Sequence, residues 1–245
     1  MKNLIISDVS QGILTITLNR LDKKNALNNL MYEELCRLFT DADTNPSIHC
    51  VLIKGDENCF CAGNDLQDFL ACSQDDDLLA LTFVRILAAF TKPIIAAVAG
   101  AAVGIGTTLL LHCDMVIAAT NSKFKLPFTQ LGLCPEAGSS LILTRLVGQN
   151  KAFELMVLGK GFNAEEALSY GIASQVCEPE VLIDTAAKIA QSIAKLPLDS
   201  VITSRRLIRQ ATQPLLDSVI KDEGSEFKRL ITTDDCKTIL ANFFK

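Results

Sequence analysis

Tryptophan is absent from this 245-residue chain, and histidine occurs only twice, at His49 and His112. The scarcity of histidine narrows the chemistry. Neither histidine makes a zinc spacing with the one suggestive cysteine pair, Cys59-Phe60-Cys61, so the pair reads as structural and no metal is expected. Nor is a histidine suitably placed to activate Ser139 or Ser140, which leaves a serine hydrolase poorly supported. Basic residues number 23 against 28 acidic ones, a net charge of −5, whereas a nucleic-acid footprint would need a clustered basic surface. The N-terminal MKNLIISDVS has no long apolar core and carries Asp8, so no secretory or transit peptide is expected. Asn242-Phe243-Phe244-Lys245 is not a peroxisomal address. Charge is missing altogether between Lys92 and Asp114, a run long enough to cross a bilayer. Its glycines and threonines, Pro93 at its edge and the lack of a flanking basic cluster argue against a membrane span.

Hydrophobic residues make up 49% of the chain, enough for a sizeable core, and the nine cysteines are irregularly spaced. They read as reduced thiols of an intracellular protein, here expected to be cytoplasmic. The uncharged run itself is informative. Ile94–Val98 has the pattern of a fully buried strand. Gly100, Gly104 and Gly106 then suit a tight turn feeding a helix over Thr107–His112, with Cys113–Ala118 as the next buried strand. Backbone N–H groups at such a helix start point outward, which makes an anion site there plausible.

Other elements follow the same logic. A strand pair turns at Ser10-Gln11-Gly12. Asn28 caps a helix whose apolar face is Leu30, Met31, Leu35, Leu38 and Phe39 and which ends at Asn45-Pro46. Cys50–Ile53 and Ser122–Leu126 read as short strands, and Ser139–Leu146 as a helix. Small residues at Ala62 and Gly63 admit close approach of a ligand to the backbone, and Asp65 can cap the next helix. Asp75-Asp76-Asp77 reads as a solvated turn. Asn163 and Glu166 form a capping box, and Gly171 ends that helix. Helices are expected near 181–195, 198–211, 215–231 and 234–243, so alternating α/β gives way to all-α.

The series Asn19-Arg20, Lys24-Asn25-Ala26-Leu27, Phe60-Cys61-Ala62-Gly63-Asn64-Asp65-Leu66, Lys92-Pro93-Ile94 through Gly100, Cys113-Asp114 and Ala164-Glu165-Glu166-Ala167 resembles the crotonase (enoyl-CoA hydratase/isomerase) superfamily over almost the whole chain. The resemblance implies an α/β fold, a spiral of ββα units in residues 1–195 bearing an acyl-CoA site. It further implies a helical region in 196–245 that builds a homotrimer or homohexamer. It implies no cofactor, acyl-CoA being the substrate, and two backbone N–H groups, of Asn64 and Ile105, gripping the thioester oxygen. Lys23, Lys24, Ala62 and Asp65 would contact CoA. Phe128, Leu133 and Thr108 would line the acyl pocket.

Departures from the family pattern bear on the reaction. Hydratases of the family carry two glutamates, and the matching positions here are Thr108 and Phe128. One carboxylate occurs further on, Glu136 in Leu133-Cys134-Pro135-Glu136-Ala137-Gly138, similar in position to the single catalytic glutamate of the Δ3,Δ2-enoyl-CoA isomerases. That branch is the expected activity. The alternatives are a hydratase-like, dienoyl-CoA isomerase or thioester hydrolase activity, or a catalytically silent acyl-CoA-binding protein. His112 reads as a core or interface residue.

Overall fold

Residues 3–70 and 78–242 are described by the computed structural model; Asp75-Asp76-Asp77 lies outside the described residues. Two sheets grow side by side as the chain advances. β1 (Ile5–Ser10) and β2 (Ile13–Leu18) form an antiparallel hairpin across Gln11-Gly12. β3 (Cys50–Lys54) joins β2 in parallel, and β4 (Cys59–Cys61) then starts the second sheet. The step repeats twice. β5 (Ile94–Val98) pairs with β3 while β6 (Ala101–Val103) pairs with β4. β7 (Met115–Ala119) and β8 (Lys123–Lys125) extend both sheets again. β9 (Phe162–Asn163) and β10 (Gln175–Cys177) close them, giving the orders β1-β2-β3-β5-β7-β10 and β4-β6-β8-β9. Each ββ step adds one strand to each sheet, which is the expected spiral.

The central strands are apolar throughout because both faces of the large sheet are covered. Ile94, Ala96 and Val98 enter the main core with Val51 and Ile53. Ile95 and Ala97 face the opposite way and pack with Leu52 under Leu182, Ala186 and Ala190 of a later helix. α1 (Asn29–Thr44) is capped by Asn28, whose side chain accepts the Met31 N–H at 3.0 Å. Its buried stripe is Met31, Tyr32, Leu35, Leu38, Phe39 and Ala42. Leu30, expected on that face, is instead 64% exposed, because it sits one position off the 3.6-residue stripe.

α2 (Leu66–Leu70), α3 (Leu79–Ala89) and α4 (Ile105–Thr108) follow. The helix expected over Thr107–His112 thus begins two residues earlier, at Ile105, and tightens into a 3-10 turn over Leu109–His112. The uncharged run is therefore split among two strands and short helical turns. No helix among the described residues is long and apolar enough to cross a membrane. α5 (Ser139–Val147) and α6 (Gln149–Met156) precede α7 (Ala164–Ser169), which carries the full Asn163/Glu166 capping box. α8 (Pro179–Ala194) covers the large sheet. α9 (Leu198–Arg209), α10 (Gln213–Ile231) and α11 (Asp234–Asn242) complete the chain. α10 packs against α3 and α5, and its Leu216 and Ile220 belong to the main core.

Candidate active site

A cavity of about 350 Å³ opens where the second sheet meets the loop before α5, with Ala62, Gly63 and Asn64 on one wall and Val103, Gly104 and Ile105 beside them. Parallel pairing makes those walls neighbours: Cys61 lies beside Ala102, and Asn64 and Ile105 are each three residues further along. Contact is close enough that a Cβ on Gly106 would stand 2.5 Å from the Cys61 carbonyl oxygen. Leu27 gives its N–H to Gly63 O and takes the Asp65 N–H, both at 2.8 Å. The peptide N–H of Asn64, between those two, therefore points away from Leu27. Ile105 opens α4, where an N–H has no intrahelical partner. Among the described residues neither N–H is given to a backbone acceptor.

Glu136 reaches the same cavity from the loop between β8 and α5 and is only 5% exposed. Ala137 (φ 59°) and Gly138 (φ 69°) are both left-handed, and this turn carries the carboxyl inward. The Ala137 conformation is uncommon for a residue with a Cβ, and a hydrogen bond holds it. His112 Nε2 donates to Ala137 O at 2.7 Å. Burial pulls the His112 pKa down to about 4, with the Arg209 and Arg205 charges acting the same way. It is thus a neutral core residue that clamps the loop. Thr108 donates its hydroxyl to Glu136 Oε1 at 2.5 Å. Burial nevertheless pushes the Glu136 pKa up to about 8; the Thr108 bond opposes this and the Glu223 charge adds to it. Near neutrality the group exchanges a proton readily.

Phe128 and Leu133 line the cavity, with Phe227 from α10 and Lys125. Thr108 faces the carboxylate rather than serving as plain wall. Ala62 lines the cavity and gives its N–H to Lys24 O at 3.0 Å, and Lys23 and Lys24 are both exposed. Asp65 has other ties. Its carboxylate takes Arg20 Nη1 at 2.7 Å and the Gln67 N–H at 3.0 Å, fixing the loop and starting α2. Asn25, fully buried, donates to Cys59 O and Phe60 O at 3.1 and 3.2 Å and ties the Asn19–Asn25 loop to β4. The eight described cysteines are free thiols.

Three contributors were not foreseen. Tyr32 donates its hydroxyl to Asn64 Oδ1, Glu223 holds the turn after Glu136, and Phe227 closes one wall. Glu223 left a readable trace, since it interrupts the apolar helical series Leu216, Ile220, Phe227, Ile231. Tyr32 left none beyond its place in the α1 stripe.

A spiral of ββ steps with a buried carboxyl opposite two ungiven peptide N–H groups defines a class, and the chain belongs to the enoyl-CoA hydratase/isomerase family of the crotonase superfamily. That family's model matches residues 8–245. Among curated relatives, the 1,2-epoxyphenylacetyl-CoA isomerase of Escherichia coli K12 is 35% identical, over 94% of this chain and 90% of its own length. The 2,3-dehydroadipyl-CoA hydratase of the same organism is 34% identical, over 96% and 92%. A solved enoyl-CoA hydratase/isomerase from Pseudoalteromonas atlantica T6c is 38% identical, covers 99% of this chain and 97% of its own, and superposes with a TM-score of 0.93. Isomerase and hydratase names stand at nearly equal identity, so the reaction has to be argued from the residues.

Proposed function

We propose that this protein is a Δ3,Δ2-enoyl-CoA isomerase. The observation that carries the reading is the cavity's carboxyl chemistry: Glu136 is buried there and bonded to Thr108, while the positions that the resemblance matches to the two hydratase glutamates are Thr108 and Phe128. Moving a double bond from position 3 to position 2 removes a proton from C2 and returns one to C4. The dienolate between them concentrates charge on the thioester oxygen. Peptide N–H groups of Asn64 and Ile105 stabilise that charge, and losing one such donor typically costs ~3–4 kcal/mol. Glu136 takes the C2 proton and delivers it to C4, two carbons away on the same face. Its raised proton affinity suits transfer to and from carbon. Phe128, Leu133 and Phe227 give the acyl chain an apolar wall. Lys23 and Lys24 meet the CoA phosphates, and Ala62 the adenine. Asp65 serves CoA by fixing that loop.

The assembly proposed with it is a homotrimer or a dimer of trimers, for which Leu207, Ile208 and Leu215 supply exposed apolar surface on α9 and α10. The decisive assay presents purified protein with a 3-enoyl-CoA series of increasing chain length in deuterated water. Conversion to the trans-2 product with deuterium at C2 or C4, and no added hydroxyl, supports the isomerase. Accumulation of 3-hydroxyacyl-CoA at a comparable rate indicates a hydratase. Absence of both products and of exchange indicates a silent acyl-CoA-binding protein.

A further inference from the structure

Glu223 lies on α10, in the region after residue 195, yet its carboxylate is spent on the active-site loop. Oε2 accepts the Gly138 N–H at 2.6 Å, and Oε1 accepts both the Ser140 N–H at 2.9 Å and the Ser140 hydroxyl at 2.5 Å. All three partners donate and favour the ionised form, against burial, which on balance still raises the Glu223 carboxyl's proton affinity. The carboxylate is 9% exposed, and no salt bridge pairs it with a cation among the described residues. Burying a charge on such terms is costly, so the contact is more than a surface cap.

Its position explains what it does. Gly138 is the second of the two left-handed residues that aim Glu136 inward. His112 clamps the first residue's carbonyl, and Glu223 clamps the second residue's N–H. The turn is thus held from opposite sides by groups from two different elements. α10 packs closely against the turn: Leu216 Cδ1 lies 2.3 Å from where a Gly138 Cβ would be. Four residues after Glu223, on the same face of the helix, Phe227 lines the cavity. One helical turn therefore touches both the loop bearing the carboxyl and the space for the acyl chain.

We propose that Glu223 is the positioning residue for Glu136: it fixes the Ala137–Gly138 turn that carries the Glu136 carboxyl into the cavity, and its charge acts on that carboxyl. The proposal rests on Glu136 being the base. Other polar and titratable groups around Glu136 are Thr108, His112 behind the turn, Cys134 in the loop, Tyr32 on α1 and Lys125 in the cavity wall. None of them changes in the experiment below. Burial is the main cause of the raised proton affinity of Glu136 and Glu223's negative charge adds to it, so removing that charge moves the midpoint to lower pH.

The experiment compares wild type with Glu223→Gln. Glutamine keeps an acceptor for Ser140 but sets an N–H₂ against the Gly138 N–H, so it removes the charge and loosens the turn together. The expected result is a kcat/KM midpoint displaced to lower pH, with kcat at least tenfold down on the plateau and KM changed less than kcat. Glu223→Asp, which keeps the charge, should return the midpoint toward wild type without restoring full kcat. The Glu136 midpoint is also read directly by carboxyl ¹³C NMR, with Glu136→Gln assigning the resonance. That readout moves with Glu223 whether or not Glu136 is the base; failure of the base assignment shows separately, as full activity in Glu136→Gln. Should Glu223→Gln not fold, Ser140→Ala removes one donor, leaves Glu223 less ionised, and should give a smaller shift in the same direction. A fall in thermal stability with an unchanged midpoint in both variants overturns the proposal, since a purely structural cap would behave so.

Discussion

Glutamine at position 136 should silence the enzyme and stabilise the fold. Glu136 titrates at about 8 when folded, against 4.5 for an unhindered glutamate. Between those values the folded protein holds a proton that the unfolded chain has released. Stability is therefore fully present below pH 4.5 and falls as pH rises to 8, by somewhat over ~1 kcal/mol per pH unit. The full loss is about 4–5 kcal/mol, of which about 3 has accrued by pH 7. Glu136→Gln carries no such titration, and Thr108 can still donate to its amide oxygen. For a chain of this size a kcal/mol is worth roughly 2–4 °C in Tm. The variant should melt with the parent near pH 4.5 and roughly 6–12 °C above it at pH 7. Glu223 is present in both proteins, so it enters the difference only through its coupling to Glu136. Calorimetry at one fixed protein concentration across pH 4.5–8 reads the gap. Parallel Tm curves across that range would refute a buried Glu136 of raised proton affinity. In parallel, isomerisation should vanish while acyl-CoA binding persists, and wild-type kcat/KM should climb to a plateau above pH 8, where the carboxylate is ionised.

Thr108→Val removes the hydrogen bond that opposes burial, so the Glu136 midpoint should rise and kcat/KM at pH 7 fall about tenfold, with recovery at higher pH; a pH–rate profile decides it. Gly106→Ala drives a methyl against the Cys61 carbonyl, and should cost about 1–3 kcal/mol by denaturant titration and lower activity by parting the walls that carry Asn64 and Ile105. With 2-enoyl-CoA, 3-hydroxyacyl-CoA should form at least ~1000-fold more slowly than a 3-enoyl-CoA is isomerised, ~4 kcal/mol in barrier, because neither Thr108 nor Phe128 can activate water. Light scattering at micromolar concentration should report a trimer or hexamer, and a monomer would count against the proposed assembly.

Local signals made much of the frame legible. Ile94–Val98 stands as read, since a short apolar run bounded by Lys92-Pro93 and Gly100 has few other uses. The cap at Asn28 and the capping box at Asn163 also needed only neighbouring residues. What escaped was set at a distance. β9 and β10 are two and three residues long and exist because a partner strand is already there. α3 and α6 were not anticipated; α3 is apolar on much of its surface and is ordered by Phe39 and Tyr32 of α1 meeting Phe83. In the site, Glu136, Asn64 and Ile105 came from a resemblance to known motifs, whereas their supports came from contacts across the chain. Tyr32 reaches Asn64 over 32 residues, and Glu223 reaches Gly138 over 85. No spacing rule encodes such pairs.

The parallel register of β4 and β6 also decides what a mutational survey can see. Adjacent strands lie roughly 4.8 Å apart, and the proposed donors follow the two strands just past that pairing. The grip is thus built from peptide groups, which nearly every residue supplies alike. An alanine scan through positions 64 and 105 would pass over the donors themselves, recording only what the Asn64 amide and the Ile105 side chain add to packing. Proline, or an ester in place of the amide, is the change that deletes a donor. Side-chain identity at these two positions is accordingly free to drift while the chemistry stays put.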